Sequence, residues 1–375
     1  MSWWESEGRV TVAHFREEFL PISETFIHDV IARTRGQRPV VVYGVRANSG
    51  HFPLPPGSLW TGRPFRSPYQ EAPELAARLR QRGTQVVHAH FGWDLPLAAV
   101  AARELEVALI VSFHGKDASS YLRDELWVRR YRRLLPEAAA VVVDYRGMAR
   151  RLIRLGAAED RVHVIRTGID LSFWPARRPP RQPGPVRIAS VGRLVPKKGH
   201  HLLVEAFAEA TSRGLDAELT ILGEGPERES LRRLGERLGL GGRFRLMPRT
   251  RAAGIRTLLC SSDLFALPSL TDESGDEETT PLVLKEASAC LLPVLASRHA
   301  GIPDVVFDGV TGVLVDEGSV PALTEGLLRL VAERPRWGTM GASGRARIED
   351  LFGLDHTLNR WRKLYRALAQ TVAPA

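Results

Sequence analysis

Only two cysteines, Cys260 and Cys290, occur among 375 residues. That is too few for a disulfide framework, and no Cys/His group has zinc-ligand spacing. A reducing, cytoplasmic setting is therefore expected. No apolar run approaches the roughly 18 residues that a membrane-spanning helix needs. The opening segment has no basic region followed by an apolar stretch, so no secretory signal is expected. Coiled-coil heptads and repeats of solenoid length are also missing. Neither a zinc finger nor an aromatic-interleaved basic pattern accompanies the positive charge, which argues against a nucleic-acid partner.

What is present is an ordinary globular composition, 44% hydrophobic and 25% charged, with a net charge of +9. The length suits two domains better than one core. Arginine carries most of the excess charge, and it is concentrated in Arg129, Arg130, Arg132, Arg133, Arg146, Arg150 and Arg151. Such a run is either a solvated helix face or a peripheral contact with an anionic membrane or polyanion at the inner membrane face.

Short β-branched runs recur along the chain, each followed by a helical stretch. The first set is 10–14, 40–43, 85–88, 109–112 and 140–143. The second set is 186–190, 219–222, 244–247, 264–267 and 293–296. Near-continuous apolar strands alternating with helices predict parallel sheets buried on both faces. Between the sets, residues 175–185 contain five prolines and can be neither helix nor central strand. The expected organisation is a domain over 1–175, a linker over 176–185, a second domain over 186–354 and a C-terminal helix in 355–375. That helix is amphipathic over 357–369, carries Leu358, Trp361, Leu364, Tyr365 and Leu368, and is expected to pack back on the first domain. Two doubly wound α/β domains facing across a cleft would bind ligands at the carboxyl ends of their strands. Residues 50–68, rich in Gly, Pro and Ser, read as a loop.

Three groups of residues carry chemistry. Gly192 and Arg193 follow a strand, and Lys197-Lys198-Gly199 precedes a helix beginning near His201. A guanidinium and an ammonium at a strand end and helix start suit a phosphate. Glu278 and Glu286 flank Pro281, which favours a turn and then a first helical turn from Leu282. Glu278 is thus placed at the helix mouth and Glu286 on the helix. Carboxylates there either accept hydrogen bonds from paired sugar hydroxyls or, as taken alone they equally would, form a solvated acidic face. The acidic run Asp272, Glu273, Asp276, Glu277 and Glu278 reads as a solvated loop rather than a metal site. His88 and His90 read as packed strand-end histidines, with His90 as a catalytic base the minor alternative. Gly223-Glu-Gly225 follows a strand, but Arg228 replaces the third glycine of a dinucleotide fingerprint, so no NAD cofactor is expected.

Taken together, these elements resemble the retaining nucleotide-sugar glycosyltransferases of glycosyltransferase family 4, which have the GT-B fold of two Rossmann-like domains. The resemblance runs through 191–199, 219–227, 278–286, 301–303 and 308–312, and in the first half through 21–27, 88–92, 113–117 and 164–170. The first-half set is similar to the branch acting in bacterial exopolysaccharide and colanic-acid assembly. The resemblance implies that Arg193 and Lys198 bind the donor pyrophosphate and stabilise the departing nucleoside diphosphate. It implies that Glu286 holds the ribose hydroxyls, that Glu278 faces the donor sugar, and that His114 lies near the reacting sugar. The implied catalytic set is His114, Arg193, Lys198 and Glu278. The implied donor-binding set is Gly192, Arg193, Lys198, Glu278, Thr279, Thr280, Pro281, Leu282 and Glu286.

The resemblance implies transfer without a cofactor or a metal, with Arg193 and Lys198 expected to take the cation's place. A UDP-sugar is the first expectation for the donor. The acceptor is expected to be a lipid-linked oligosaccharide, with a soluble small molecule as the alternative. Other readings are a GT-B phosphorylase or epimerase and a non-catalytic sugar- or polyanion-binding protein. The chain departs from the family at Thr279 and Thr280, where relatives carry glycines beside the donor sugar, and threonine restricts φ. Leu291 likewise stands where a glycine is common. The loop 16–23 lacks the glycine cluster of many relatives, and Ser23 is a candidate helix cap or substrate contact.

Overall fold

The computed structural model describes residues 9–21, 24–48, 50–61, 68–176 and 183–371, with the side chains of 68–71 left aside. Ser23 and most of the expected linker lie outside the described residues. The chain divides into two compact units, residues 1–167 with 355–375, and residues 168–354.

The first unit is built on a parallel sheet. Its strand order is Leu59–Trp60, Gln37–Tyr43, Val10–Phe15, Val86–Ala89, Ala108–Phe113, Ala140–Val143 and Val162–Val164. The sequence order reverses between Val10–Phe15 and Val86–Ala89, which register His14 against His88. Every residue of Val10–Phe15 and of Ala108–Phe113 is buried, as a strand covered on both faces requires. Trp361 and Tyr365, from the helix Leu354–Gln370, pack against Val10, Val86, Ile110 and Val142. The C-terminal helix therefore belongs to the core of this unit.

The second unit is a parallel sheet in the order Phe244–Met247, Ala217–Leu222, Val186–Val191, Leu264–Leu267, Val294–Ser297 and Gly312–Val315. Alternate residues point into different clusters. Ile188, Leu219, Leu264 and Ala266 join one, whereas Ala189, Val191, Phe265 and Leu267 join the other. That period of two is what a strand between helical layers demands. The boundary between units falls at Thr167–Gly168, earlier than the proline-rich segment suggested. Ile169 and Trp174 pack in the second unit's core, and Ile169 bridges to Gly353.

Three glycines set the loops at the strand ends. Gly199 has φ +65°, and a Cβ there would lie 2.1 Å from the Pro268 carbonyl oxygen. A Cβ on Gly223 would lie 1.9 Å from the Gly192 oxygen, and one on Gly225 2.3 Å from the Leu194 oxygen. The Gly223-Glu-Gly225 pair thus serves close backbone approach to the 192–194 loop rather than a dinucleotide. Leu291, where the family resemblance would place a glycine, has φ +61° just beyond the helix Leu282–Ala289. Thr279 and Thr280, by contrast, are not among the described residues with positive φ, so threonine causes no backbone conflict there.

Candidate functional site

The reversal of strand order in the second unit lies between Val186–Val191 and Leu264–Leu267. Ligands of open parallel sheets sit at the carboxyl ends of strands at such a point. The residues that follow Val186–Val191 are Gly192 and Arg193. The next element is the short 3-10 turn Pro196–Lys198, then Gly199 and the helix His200–Ser212. Its first N–H groups lie beside the strand end, an arrangement that favours an anion.

Lys198 Nζ lies 2.9 Å from Glu278 Oε2, and Lys197 Nζ lies 3.5 Å from Glu278 Oε1 and 3.0 Å from Asp276 Oδ2. Lys197 also donates to the Glu277 carbonyl at 3.3 Å. Glu278 is 8% exposed. Burial alone would push its pKa up, but Lys198, Lys197 and Arg193 outweigh that and hold it at about 2. The Glu278 N–H donates to His299 Nε2 at 3.0 Å, and His299 Nδ1 faces the Glu317 carboxylate. Because Nε2 accepts, Nδ1 carries the proton and donates to Glu317. The backbone of Glu278 is fixed by this relay, and its side chain by the two lysines.

The expectation of a solvated acidic loop therefore fails at Asp276 and Glu278, which the paired lysines draw into the protein. It holds better for Asp272, whose Oδ1 accepts from the backbone N–H groups of Ser274 and Asp276 and closes its own turn. Lys197, Asp276, His299 and Glu317 were not legible as site residues. The doubled lysine was the one available signal, since two adjacent buried ammoniums require more than one carboxylate.

Arg193 is exposed, and its guanidinium makes no hydrogen bond or ion pair with a described residue. Its charge nonetheless reaches Glu278. The nearest atoms that a Cβ on Gly192 would meet belong to His200 and Lys198, at 3.4–3.5 Å, so protein crowding does not require glycine there. Pro281 caps Leu282–Ala289 and Thr280 is buried beside it. Glu286 sits on the helix, as expected, with burial raising its pKa to about 7 against the opposing pull of Lys285. Its carboxylate accepts no hydrogen bond from a described residue.

In the first unit, His114 follows the strand Ala108–Phe113. Its ring packs against Phe26 and Phe91, with centroids 4.8 and 5.0 Å away, and its Nε2 is buried without a hydrogen-bond partner. Burial lowers its pKa to about 4, against the pull of Asp144, so the ring is neutral with a polar atom left to satisfy. Asp117 holds this loop by accepting from the N–H groups of His114, Gly115 and Gly92, each at 3.0 Å. A Cβ on Gly92 would fall 2.3 Å from Tyr131 Oη. Arg16 is equally constrained, donating to both Glu24 oxygens at 2.7 and 2.8 Å.

Two parallel-sheet Rossmann-like units, with a cation-lined strand end in the second, define the GT-B class of glycosyltransferases. Residues 175–347 match the family described as Glycosyl transferases group 1, and residues 26–173 match Glycosyltransferase Family 4. The amylovoran biosynthesis glycosyltransferase AmsK of Erwinia amylovora is 32% identical over 281 residues, covering 74% of this chain and 69% of that protein. A putative colanic acid biosynthesis glycosyltransferase, WcaL of Escherichia coli (strain K12), is 33% identical over 245 residues. That match covers 64% of this chain and 59% of the relative, so the chain spans about three fifths of its length. Among solved structures, Anabaena Alr3699/HepE in complex with UDP shares the fold with a TM-score of 0.81. Its identity is 19%, over 96% of this chain and 100% of that one. The chain belongs to the family 4 glycosyltransferases.

Proposed function

We propose that the protein is a retaining, metal-independent glycosyltransferase that moves a hexose-type sugar from a nucleotide-diphosphate donor to an acceptor hydroxyl. The observation that carries this reading is the strand-end set of exposed Arg193, buried Lys198 paired with Glu278, and Glu286. In the transfer, the bond from the acceptor oxygen to the anomeric carbon forms as the bond to the donor phosphate breaks. The acceptor proton passes to a phosphate oxygen. Negative charge grows on the leaving diphosphate, and cations already fixed there stabilise the transition state more than the ground state. Glu278 offers a carboxylate to the positive charge that develops on the sugar ring, and within the first unit the unsatisfied Nε2 of His114 is a polar group suited to a sugar hydroxyl.

UDP is the first choice of nucleotide, in keeping with the UDP in the Anabaena structure. A GDP-mannose-dependent mannosyltransferase of Mycolicibacterium smegmatis, 37% identical over 159 residues, keeps GDP in the test. Thermal denaturation of the full chain with UDP-, GDP- and ADP-sugars should show stabilisation by at least one. The gain is about 2.7 kcal/mol at a hundredfold excess over Kd. No shift with any donor at millimolar concentration would favour a non-catalytic protein. A pH dependence is expected from Glu286, which accepts from two ribose hydroxyls more strongly as a carboxylate than as a neutral acid. Since its pKa is about 7, donor affinity should rise as pH passes upward through 7. A nucleotide sugar's diphosphate diester does not titrate there, and Glu286→Gln should flatten the rise.

A role in polysaccharide or glycolipid assembly accords with the names of the colanic acid and amylovoran biosynthesis relatives, and the acceptor is proposed to be lipid-linked. The helix Glu125–Leu134 supports a membrane face. Leu126 is 53% exposed, Arg129, Arg130, Arg132 and Arg133 are exposed, and Arg130 stacks 4.7 Å from Trp127. An apolar residue and a partly buried indole within an arginine cluster suit the boundary of an anionic bilayer. The protein should float with liposomes containing anionic lipid and be released by salt. Equal flotation with neutral liposomes would remove the role of anionic lipid, and no flotation at all would remove the membrane role.

A further inference from the structure

We propose that His90 is an acceptor-binding residue, whose Nδ1 receives a hydrogen bond from a sugar hydroxyl adjacent to the one that attacks. His14 and Gln37 are the positioning residues that fix the ring tautomer presenting that lone pair. The proposal rests on the transferase reading for its substrate, but not for its chemistry.

The deduction starts at Gln37, whose side-chain NH₂ donates to the carbonyls of Val30 and Ile31 at 2.7 and 3.0 Å. Its amide nitrogen is thus fixed, and Oε1 is left to accept. Oε1 lies 3.0 Å from His14 Nε2, so that nitrogen carries the proton. Burial keeps His14 neutral, with a pKa of about 4, so its Nδ1 is a bare acceptor. His14 Nδ1 lies 3.0 Å from His90 Nε2, which must therefore be the donor. Burial likewise lowers the His90 pKa, helped by His88, His14, His114 and Arg16. A neutral ring protonated at Nε2 has an unprotonated Nδ1, and that atom makes no hydrogen bond to a described residue.

The place of this atom matters as much as its protonation. His90 directly follows Val86–Ala89, at the carboxyl end of the first unit's sheet where strand order reverses. Its N–H donates to Phe15 O at 3.1 Å, locking it against the neighbouring strand end. That is where an open parallel sheet receives a ligand. A buried neutral imidazole is a poor sink for a proton but a good acceptor, and so it orients the acceptor without taking the transferred proton.

The same cluster has metal-like spacing, since ligand atoms of His14, His88 and His90 lie within 4.8 Å of one another. The hydrogen bonds oppose that use. His88 is occupied on both nitrogens, by Tyr365 Oη at 2.9 Å and Ser112 Oγ at 2.7 Å. The bond between His14 and His90 holds two of the remaining nitrogens.

Two measurements test the proposal. In a long-range ¹H–¹⁵N spectrum of the histidine-labelled full chain, His90 should be protonated at Nε2 only and His14 at Nε2 only. The His90→Asn variant gives the assignment. Protonation of His90 at Nδ1, or coordinated zinc shifting all three histidines, would overturn the proposal whatever the enzyme's activity. The kinetic arm uses p-nitrophenyl hexosides as acceptors. His90→Gln places its amide at the Nε2 position and should raise the acceptor KM roughly 10-fold, with donor KM unchanged. His90→Asn restores an oxygen at the Nδ1 position and should recover most of that loss. An unchanged acceptor KM in His90→Gln would overturn the proposal. Loss of all transfer in the wild-type chain would count against the transferase reading, while the spectrum still decides the tautomer.

Discussion

Lys198→Met is expected to reduce sugar transfer by at least about 100-fold while also destabilising the protein, because one ammonium serves two purposes. On the proposed reading it holds the leaving diphosphate more strongly as the bond breaks, so the larger part of the loss should appear in kcat. As the 2.9 Å partner of Glu278 it also supports a carboxylate that is 8% exposed. Removing Lys198 leaves Glu278 only the longer 3.5 Å contact with Lys197 and the charge of Arg193, at a cost of up to about 3 kcal/mol. The pH dependence identifies the pair. Glu278 has a folded pKa of about 2, below the unfolded value of roughly 4.3. Its stabilising contribution is therefore complete above pH ~4.3 and lost as the pH falls towards 2. Denaturant titrations of wild type and variant should show a gap that is full at neutral pH and closes on acidification. A constant gap would mean that the pair is not its source, and unchanged turnover would remove the pyrophosphate role.

The placement of the candidate site was legible from the order and spacing of its elements, which resemble family 4, rather than from any one residue type. Arg193, Lys198, Glu278 and Glu286 each stand where the expectation put them, at a strand end, a helix start, a helix mouth and a helix face. The buried strands were equally legible from β-branched runs. Ala140–Val143, Phe244–Met247 and Leu264–Leu267 have the expected bounds, and the others shift by a few residues at the ends. The short strands Leu59–Trp60 and Val162–Val164 escaped, since two or three residues carry no period and gain their order from a neighbour. Gly312–Val315 was visible only as part of a motif.

Partnerships were the part that could not be read. Lys198 meets Glu278 across 80 residues, Asp117 meets Gly92 across 25, and His14 meets Gln37 across 23. Each contact depends on the sheet order that brings separate strand ends together. A carboxylate in an acidic run looks solvated until a strand from elsewhere delivers its lysine. In the same way, His90 looked like a packing residue because its proton is assigned by an amide on another strand. Leu291 is a different case: the sequence marked only a departure from a common glycine, and the positive φ behind it is visible at the backbone alone.

Arg193→Ala should separate catalysis from stability in a way that Lys198 cannot. The guanidinium is exposed and has no hydrogen-bond partner among the described residues. Truncation should therefore change unfolding free energy by no more than about 0.5 kcal/mol. Transfer should nonetheless fall about 100-fold, since a preformed donor to the developing diphosphate charge is gone. The thermal shift given by the nucleoside diphosphate should shrink too, because the product carries that charge in full. Arg193→Lys should recover only part of the activity, as an ammonium supplies the charge but not the planar fork that binds two oxygens at once. The double variant with Lys198→Met should lose less than the product of the single losses, because both cations act on one leaving group. Fully multiplicative losses would place them on different parts of the substrate. An active Arg193→Ala would leave Lys198 as the sole tested cation and contradict the metal-replacing pair.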